Sequence, residues 1–174
     1  MTARLPLERP LDRSLPDAAE DAWALLDEAG LSREIGFVVR MAQLALFGDL
    51  FARLRGLKLT LSQLTALRLI KARPALTQQR IGDALRIKKT NLVALIDKLE
   101  ERGFVYRASS ETDGRAYALY LTAKGERSLW KAMQAIAAHM KTVSRFLDED
   151  EQDRVIKSLR KVALHLPRAH QKSE

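Results

Sequence analysis

The run Lys88-Lys89-Thr90-Asn91, followed at once by Val93 and Ala94, is the part of this chain best equipped for chemistry. It offers donors and donor-acceptors first, then methyl groups. A lysine can donate to guanine O6 and N7, an asparagine can pair with adenine N6 and N7, and small apolar groups meet thymine methyls. Leu92, Leu95, Ile96 and Leu99 fall at i, i+3, i+4 and i+7, so a helix from about Lys88 to Arg102 turns those four inward. Thr90 and Ala94 then point outward at the centre, with Lys89, Asn91, Val93 and Lys98 on the shoulders. The acids Asp97, Glu100 and Glu101 come only in the last turns. A solvated helix surface is the plain alternative for any one of these residues.

Two further arginines sit in a segment whose period changes to two. Phe104 to Arg107 and Ala116 to Leu121 read as strands, joined by SSETDGR, in which Asp113-Gly114 signals a turn. Arg115 at the tip could enter a minor groove, or remain an exposed turn residue paired with Asp113. Arg107 is placed for phosphate. Other chemistries lack their residues. Cysteine is absent, which removes disulfides, thiolate catalysis and Cys-containing zinc sites. His139, His165 and His170 show no ligand spacing. There is no Ser/His/Asp grouping and no phosphate-cradling glycine loop, so no catalytic residue, metal or cofactor is expected and the chain reads as a non-enzyme.

Charge narrows the partner. The 174 residues carry a formal net charge of +8, with 47% hydrophobic and 30% charged residues. Between Arg53 and Asn91 there are ten basic residues against the single acid Asp83, whereas Met1 to Glu34 holds four arginines against eight acids. A basic middle behind an acidic arm is the footprint of a nucleic-acid module, with a solvated basic surface as the alternative. The N-terminus has no signal-peptide core and the apolar stretches read as shorter than a membrane span, so the expected location is cytoplasmic, away from membranes.

The elements that must position these residues are mostly helical. Asp17 with Glu20 resembles a capping box for a short helix that Gly30 stops, and Trp23, Leu25 and Leu26 should pack down. From Ser32 to Arg55 a long helix is apolar nearly all round, interrupted only by Gly36, Arg40 and Gln43, so it must be covered on nearly every side. Thr60 with Gln63 caps the next helix, which ends before Pro74, and Thr77 caps another. Gly103 stops the helix that carries Lys88 to Lys98. After the hairpin, Thr122 caps a long helix with Leu129, Met133, Ile136, Met140, Val143 and Leu147 spaced 4, 3, 4, 3, 4. Asp148 with Glu151 caps a last one, in which Val155, Leu159, Val162 and Leu166 repeat the 4, 3, 4 spacing. Two such seams and the first long helix exceed what one small module can cover, which points to self-association; intrachain packing is the alternative.

Three short helices and a hairpin, in that order, form a winged helix-turn-helix. Over roughly Thr60 to Glu126, ALIDKLEERGFV, the wing-tip DGRA and LTAKGE together resemble the multiple-antibiotic-resistance-regulator (MarR) family of bacterial transcription factors. The resemblance implies a mainly α fold with a small β wing: a winged helix-turn-helix domain at 58–121, a helical dimerisation region at 32–57 and 122–174, and an N-terminal extension with a short helix at 1–31. It implies a homodimer on a pseudo-palindromic double-stranded DNA operator, usually repressing, and makes Asp113 and Arg115 the minor-groove element. Arg86 stands where the family often has glycine, so that turn should differ slightly and Arg86 should face phosphate. A small-molecule effector is also implied, of the aromatic or phenolic acid, coenzyme A thioester or drug-like class. Its site would be walled by Phe37, Arg40, Met41, Leu44, Leu64, Leu67, Trp130 and Met133. Arg40 could pair with a ligand carboxylate or form a salt bridge within or between subunits. The alternatives are a basic architectural or RNA-binding winged-helix protein without a ligand, and a winged helix used for protein contacts.

Overall fold

A computed structural model describes residues 17–109 and 117–166, with side chains described from Ala19 onward. The chain divides into two compact units at Gly48–Asp49. In the N-terminal unit, α1 (Asp17–Glu28) ends before Gly30, whose φ of 75° is the left-handed turn that glycine tolerates best. Asp17 is the first helical residue rather than the cap expected of it. Trp23 and Leu25 are exposed, so only Leu26 is half-buried as anticipated. A 3-10 turn at Leu31–Arg33 and the extended Glu34 delay the long helix, and α2 runs Ile35–Leu54 rather than from Ser32.

The all-round apolar character of α2 shows as exposure. Ile35 is 72% exposed and Leu44 55%, while only Leu50 and Leu54, at the end belonging to the second unit, are buried. Residues Ile35–Leu57 are, by length and composition, apolar enough to cross a membrane, which corrects the expectation that no stretch approaches that length. The reason is the thin distribution of charge along α2, where Arg40 and Asp49 are nine residues apart. A helix that packs on several faces of an assembly has the same composition.

The C-terminal unit is built on one core. From α3 (Leu61–Ala72) come Leu64, Leu67 and Ile70. Ile81 of α4 (Gln78–Leu85) and Ile96 and Leu99 of α5 (Lys89–Glu101) close on them, with Val105 and Leu119 from the wing. Each such side chain, removed from water, contributes about 1.5–3 kcal/mol. The wing has three antiparallel strands in the order β1-β3-β2: β1 Leu76–Thr77, β2 Val105–Ser109 and β3 Tyr117–Leu121, with Leu76 opposite Leu119 and Val105 opposite Leu121. β1 escapes a reading by periodicity because two residues cannot display a period. The capping boxes Thr60–Gln63 and Asp148–Glu151 both form, and Thr122 caps α6 (Ala123–Val143), ahead of α7 (Glu149–His165). None of the residues of α7 is buried.

Two anchors fix the end of α5 and the segment after it to this body. At the end of α5, Arg102 donates to the carbonyls of Lys58 (2.7 Å) and Leu57 (3.0 Å), and its guanidinium lies 4.4 Å from the centre of the Phe104 ring. Gly125, in the first turn of α6, lies against the Phe104 carbonyl so closely that a Cβ there would come within 2.0 Å of the oxygen. That close approach explains the glycine of LTAKGE.

Candidate nucleic-acid interface

Local backbone chemistry sets the pitch of α5. Thr77 Oγ1 accepts from the Arg80 N–H (3.5 Å) to open α4. Gly82 lets α5 approach α4; a Cβ there would lie 2.7 Å from Leu92 Cδ2. Arg86 ends α4 in the left-handed region, φ 55° and ψ 39°, a conformation that glycine adopts without steric cost. The Ile87 N–H then returns to the Gly82 carbonyl (3.2 Å), and the extended Lys88 opens α5, its carbonyl accepting from the Leu92 N–H at 3.0 Å. Leu92, Ile96 and Leu99 are buried and Leu95 half-buried.

The outward side follows from that inward stripe. Lys88, Lys89, Thr90, Asn91, Val93, Ala94 and Lys98 are all exposed, and no acid occurs before Asp97. A depression of about 480 Å³ between α4 and α5 is lined by Lys89 and Val93 together with Gln78 and Gln79. The two glutamines were missed from sequence; the signal was Thr77, whose capping role puts them in the first turn of α4. Arg107, expected to meet phosphate, instead directs one end of its guanidinium to Asp97 (2.6 Å) and the other to Glu100. Both acids sit on α5, so the pairing offsets the helix's negative end and braces it to β2. Arg86 is exposed, and its guanidinium donates to the Ala163 carbonyl in the last turn of α7 (3.3 Å). Asp113 and Arg115 lie outside the described residues.

The residues expected around a ligand fare unequally. Leu64 and Leu67, 1% and 0% exposed, are sealed in the core and present no wall. Trp130, 64% exposed, and Met133 border an apolar depression of about 460 Å³ with Lys71, Glu126, Arg127 and Leu129. In the N-terminal unit Phe37 and Met41 are half-buried on α2, and Arg40 and Leu44 are exposed. Among the described residues no group of three or more His, Asp or Glu could hold a metal ion.

A polar cluster that sequence did not reveal joins the end of α2 to α6. Arg53 donates twice to Asp49 (2.8 and 2.9 Å) and once to Thr142 Oγ1 (2.8 Å), and His139 Nδ1 lies 2.6 Å from Asp49 Oδ2. The Arg53 hydrogen bonds, then that of His139, pull the Asp49 carboxyl down to about 2. No spacing rule links residues ninety positions apart.

Known proteins share this fold. The MarR family model matches residues 57–116, the helix-turn-helix and the start of the wing. The transcriptional repressor CouR, solved on a 23-mer DNA duplex, superposes with a TM-score of 0.72 at 34% identity, covering 76% of this chain and 94% of CouR. The chain belongs to the MarR family. A second CouR structure, bound to p-coumaroyl-CoA, matches at 32% identity and a TM-score of 0.69, over 76% of this chain and 93% of that one. A Thauera aromatica protein named as a candidate regulator of the hcr operon is 27% identical over 145 residues, 83% of this chain and 87% of that protein. As a MarR-family member the chain is a transcriptional regulator with a DNA-binding winged helix.

Proposed function

We propose that this protein is a cytoplasmic, ligand-responsive repressor that binds a pseudo-palindromic operator as a homodimer and lets go when an aromatic acid or its coenzyme A thioester binds. One observation carries the DNA reading: the exposed, acid-free face formed by Lys88, Lys89, Thr90, Asn91, Val93 and Ala94 at the entering end of α5. Phosphate contacts position such a helix and base contacts specify its site. Arg86, Lys98 and, at the wing tip, Asp113 and Arg115 complete the contact set. Arg107 takes the supporting role of holding the wing against α5.

The homodimer rests on apolar surface that one chain leaves uncovered. On α2, Ile35, Leu44 and Leu46 are exposed, and on α7 Val155, Ile156, Leu159 and Val162. Large apolar side chains left exposed along a helix mark an interface, and this supports assigning 32–57 and 122–174 to dimerisation. The effector reading is supported by the Trp130–Met133 depression and by CouR having been solved with p-coumaroyl-CoA. A ligand that prefers the DNA-free arrangement by about 1.4 kcal/mol weakens operator binding tenfold.

The test is selection of duplexes from a random pool, followed by titration against scrambled DNA and RNA. The selected site should bind about a thousandfold more tightly than scrambled duplex. Asn91→Ala should cost about 1–3 kcal/mol on that site only, whereas a loss equal on all sequences for Lys88→Ala marks it as a phosphate contact. A pool that yields no preferred sequence, or RNA bound as tightly as DNA, would replace the repressor with a general basic binder.

A further inference from the structure

The Trp130 depression does not end at α6. A second one, about 210 Å³, lies over the outer face of the wing and is lined by Tyr106, Tyr120 and Pro74. The two share Lys71 and Glu126, which form an ion pair of 2.5 Å at their junction. Tyr106 and Tyr120 face each other across β2 and β3 with ring centres 5.4 Å apart and planes at 18°, and Tyr106 is 47% exposed. One side of this surface thus has an exposed indole and a thioether above an apolar floor. The other has a pair of stacked phenols, with Lys71 at the junction; Arg127 lies on the Trp130 side.

We propose that this continuous groove is one site for a two-headed effector, an aromatic acid joined as a thioester to a nucleotide-bearing carrier of the coenzyme A type. The proposal rests on the ligand-responsive reading above and adds a location for the second head. Along α6 the stretch from Glu126 to Met133 alone spans about 10 Å, and β2 and β3 add about 5 Å across the sheet, more than a single ring and its acid chain would cover. The acyl ring lies against Trp130 and Met133. The purine stacks on the tyrosines, whose π-faces accept any flat base. Its phosphates replace the Glu126 carboxylate on Lys71, a point-charge donor suited to phosphate.

Stacked tyrosines on opposite strands also stabilise a hairpin by themselves, so the experiment must separate binding from folding. Calorimetric titration of the full-length protein with p-coumarate, with coenzyme A and with p-coumaroyl-CoA supplies the three probes. The thioester should bind at least tenfold more tightly than either part. Tyr106→Ala should bring it down to the affinity of p-coumarate while leaving p-coumarate and operator binding as they are, and Lys71→Ala should weaken the thioester at least tenfold while leaving operator binding as it is. Tyr106→Phe, which keeps the ring, should retain full affinity. Thioester binding no tighter than p-coumarate in the unmodified protein, or Tyr106→Ala losing both ligands equally, overturns the extended groove alone. If none of the three binds, the effector reading falls with it.

Discussion

Asp49 is the residue whose ionisation most directly reports the folded arrangement of the C-terminal unit. Its carboxylate accepts from Arg53 and His139, and these hydrogen bonds hold it near 2, against an ordinary value of 3.8. Because the folded value lies below the unfolded one, the stabilisation is complete above about pH 4 and is lost as the pH falls toward 2. Both side chains of the Asp49–Arg53 pair are about one-third exposed, so solvent moderates the effect. Asp49→Asn should therefore melt below the unmodified protein at neutral pH by a margin that closes between pH 4 and pH 2. Thermal melts across that range check it; a margin independent of pH would mean that charge at Asp49 contributes nothing. The pair Asp49–His139 was invisible in the sequence because only tertiary folding brings α2 against α6.

At the scale of elements, the turn between α4 and α5 joins stability to recognition. Arg86 sits at a φ of 55°, where a side chain costs about 1–2 kcal/mol that glycine avoids. Arg86→Gly should thus leave stability within about 1 kcal/mol of the original, the lost bond to the Ala163 carbonyl offsetting the relieved backbone. If Arg86 faces phosphate, as proposed, operator affinity should fall and the salt dependence become shallower by about one charge. Urea melts and binding at several salt concentrations measure both, and an unchanged salt slope would confine Arg86 to capping α7. The limits of sequence reading follow the same physics. Helix starts at Thr60, Thr77, Thr122 and Asp148 were legible because each cap is a local hydrogen bond. The outward face of α5 was legible because its inward leucines and isoleucine have a period. The ion pairs of Arg107 were not legible because its carboxylate partners lie on a different element, nor was the burial of Leu64 and Leu67, because helical period cannot tell a cavity wall from a filled core.

For the whole molecule, two reading heads fixed in one dimer require a particular distance between half-sites. Helix-turn-helix dimers that enter successive major grooves on one face of a duplex need centres about 10–10.5 base pairs apart. Five added base pairs turn one half-site by half a helical turn, to the far side of the DNA, where the proposed homodimer cannot follow. With the selected operator in hand, this insertion should reduce affinity at least about a hundredfold, leaving the level of an isolated half-site or of non-specific DNA. Sedimentation of the free protein at micromolar concentration should show a dimer, since the uncovered apolar residues of α2 and α7 would otherwise face water. Replacing Leu159 and Val162 together by aspartate should dissociate it, because charge placed in an apolar interface has no partner to offset its desolvation. The dissociated variant should bind a single half-site weakly and become indifferent to the insertion. Equal affinity of the unmodified protein for spaced and unspaced operators would show instead that each subunit reads DNA alone, and that the apolar surfaces of α2 and α7 serve some other contact.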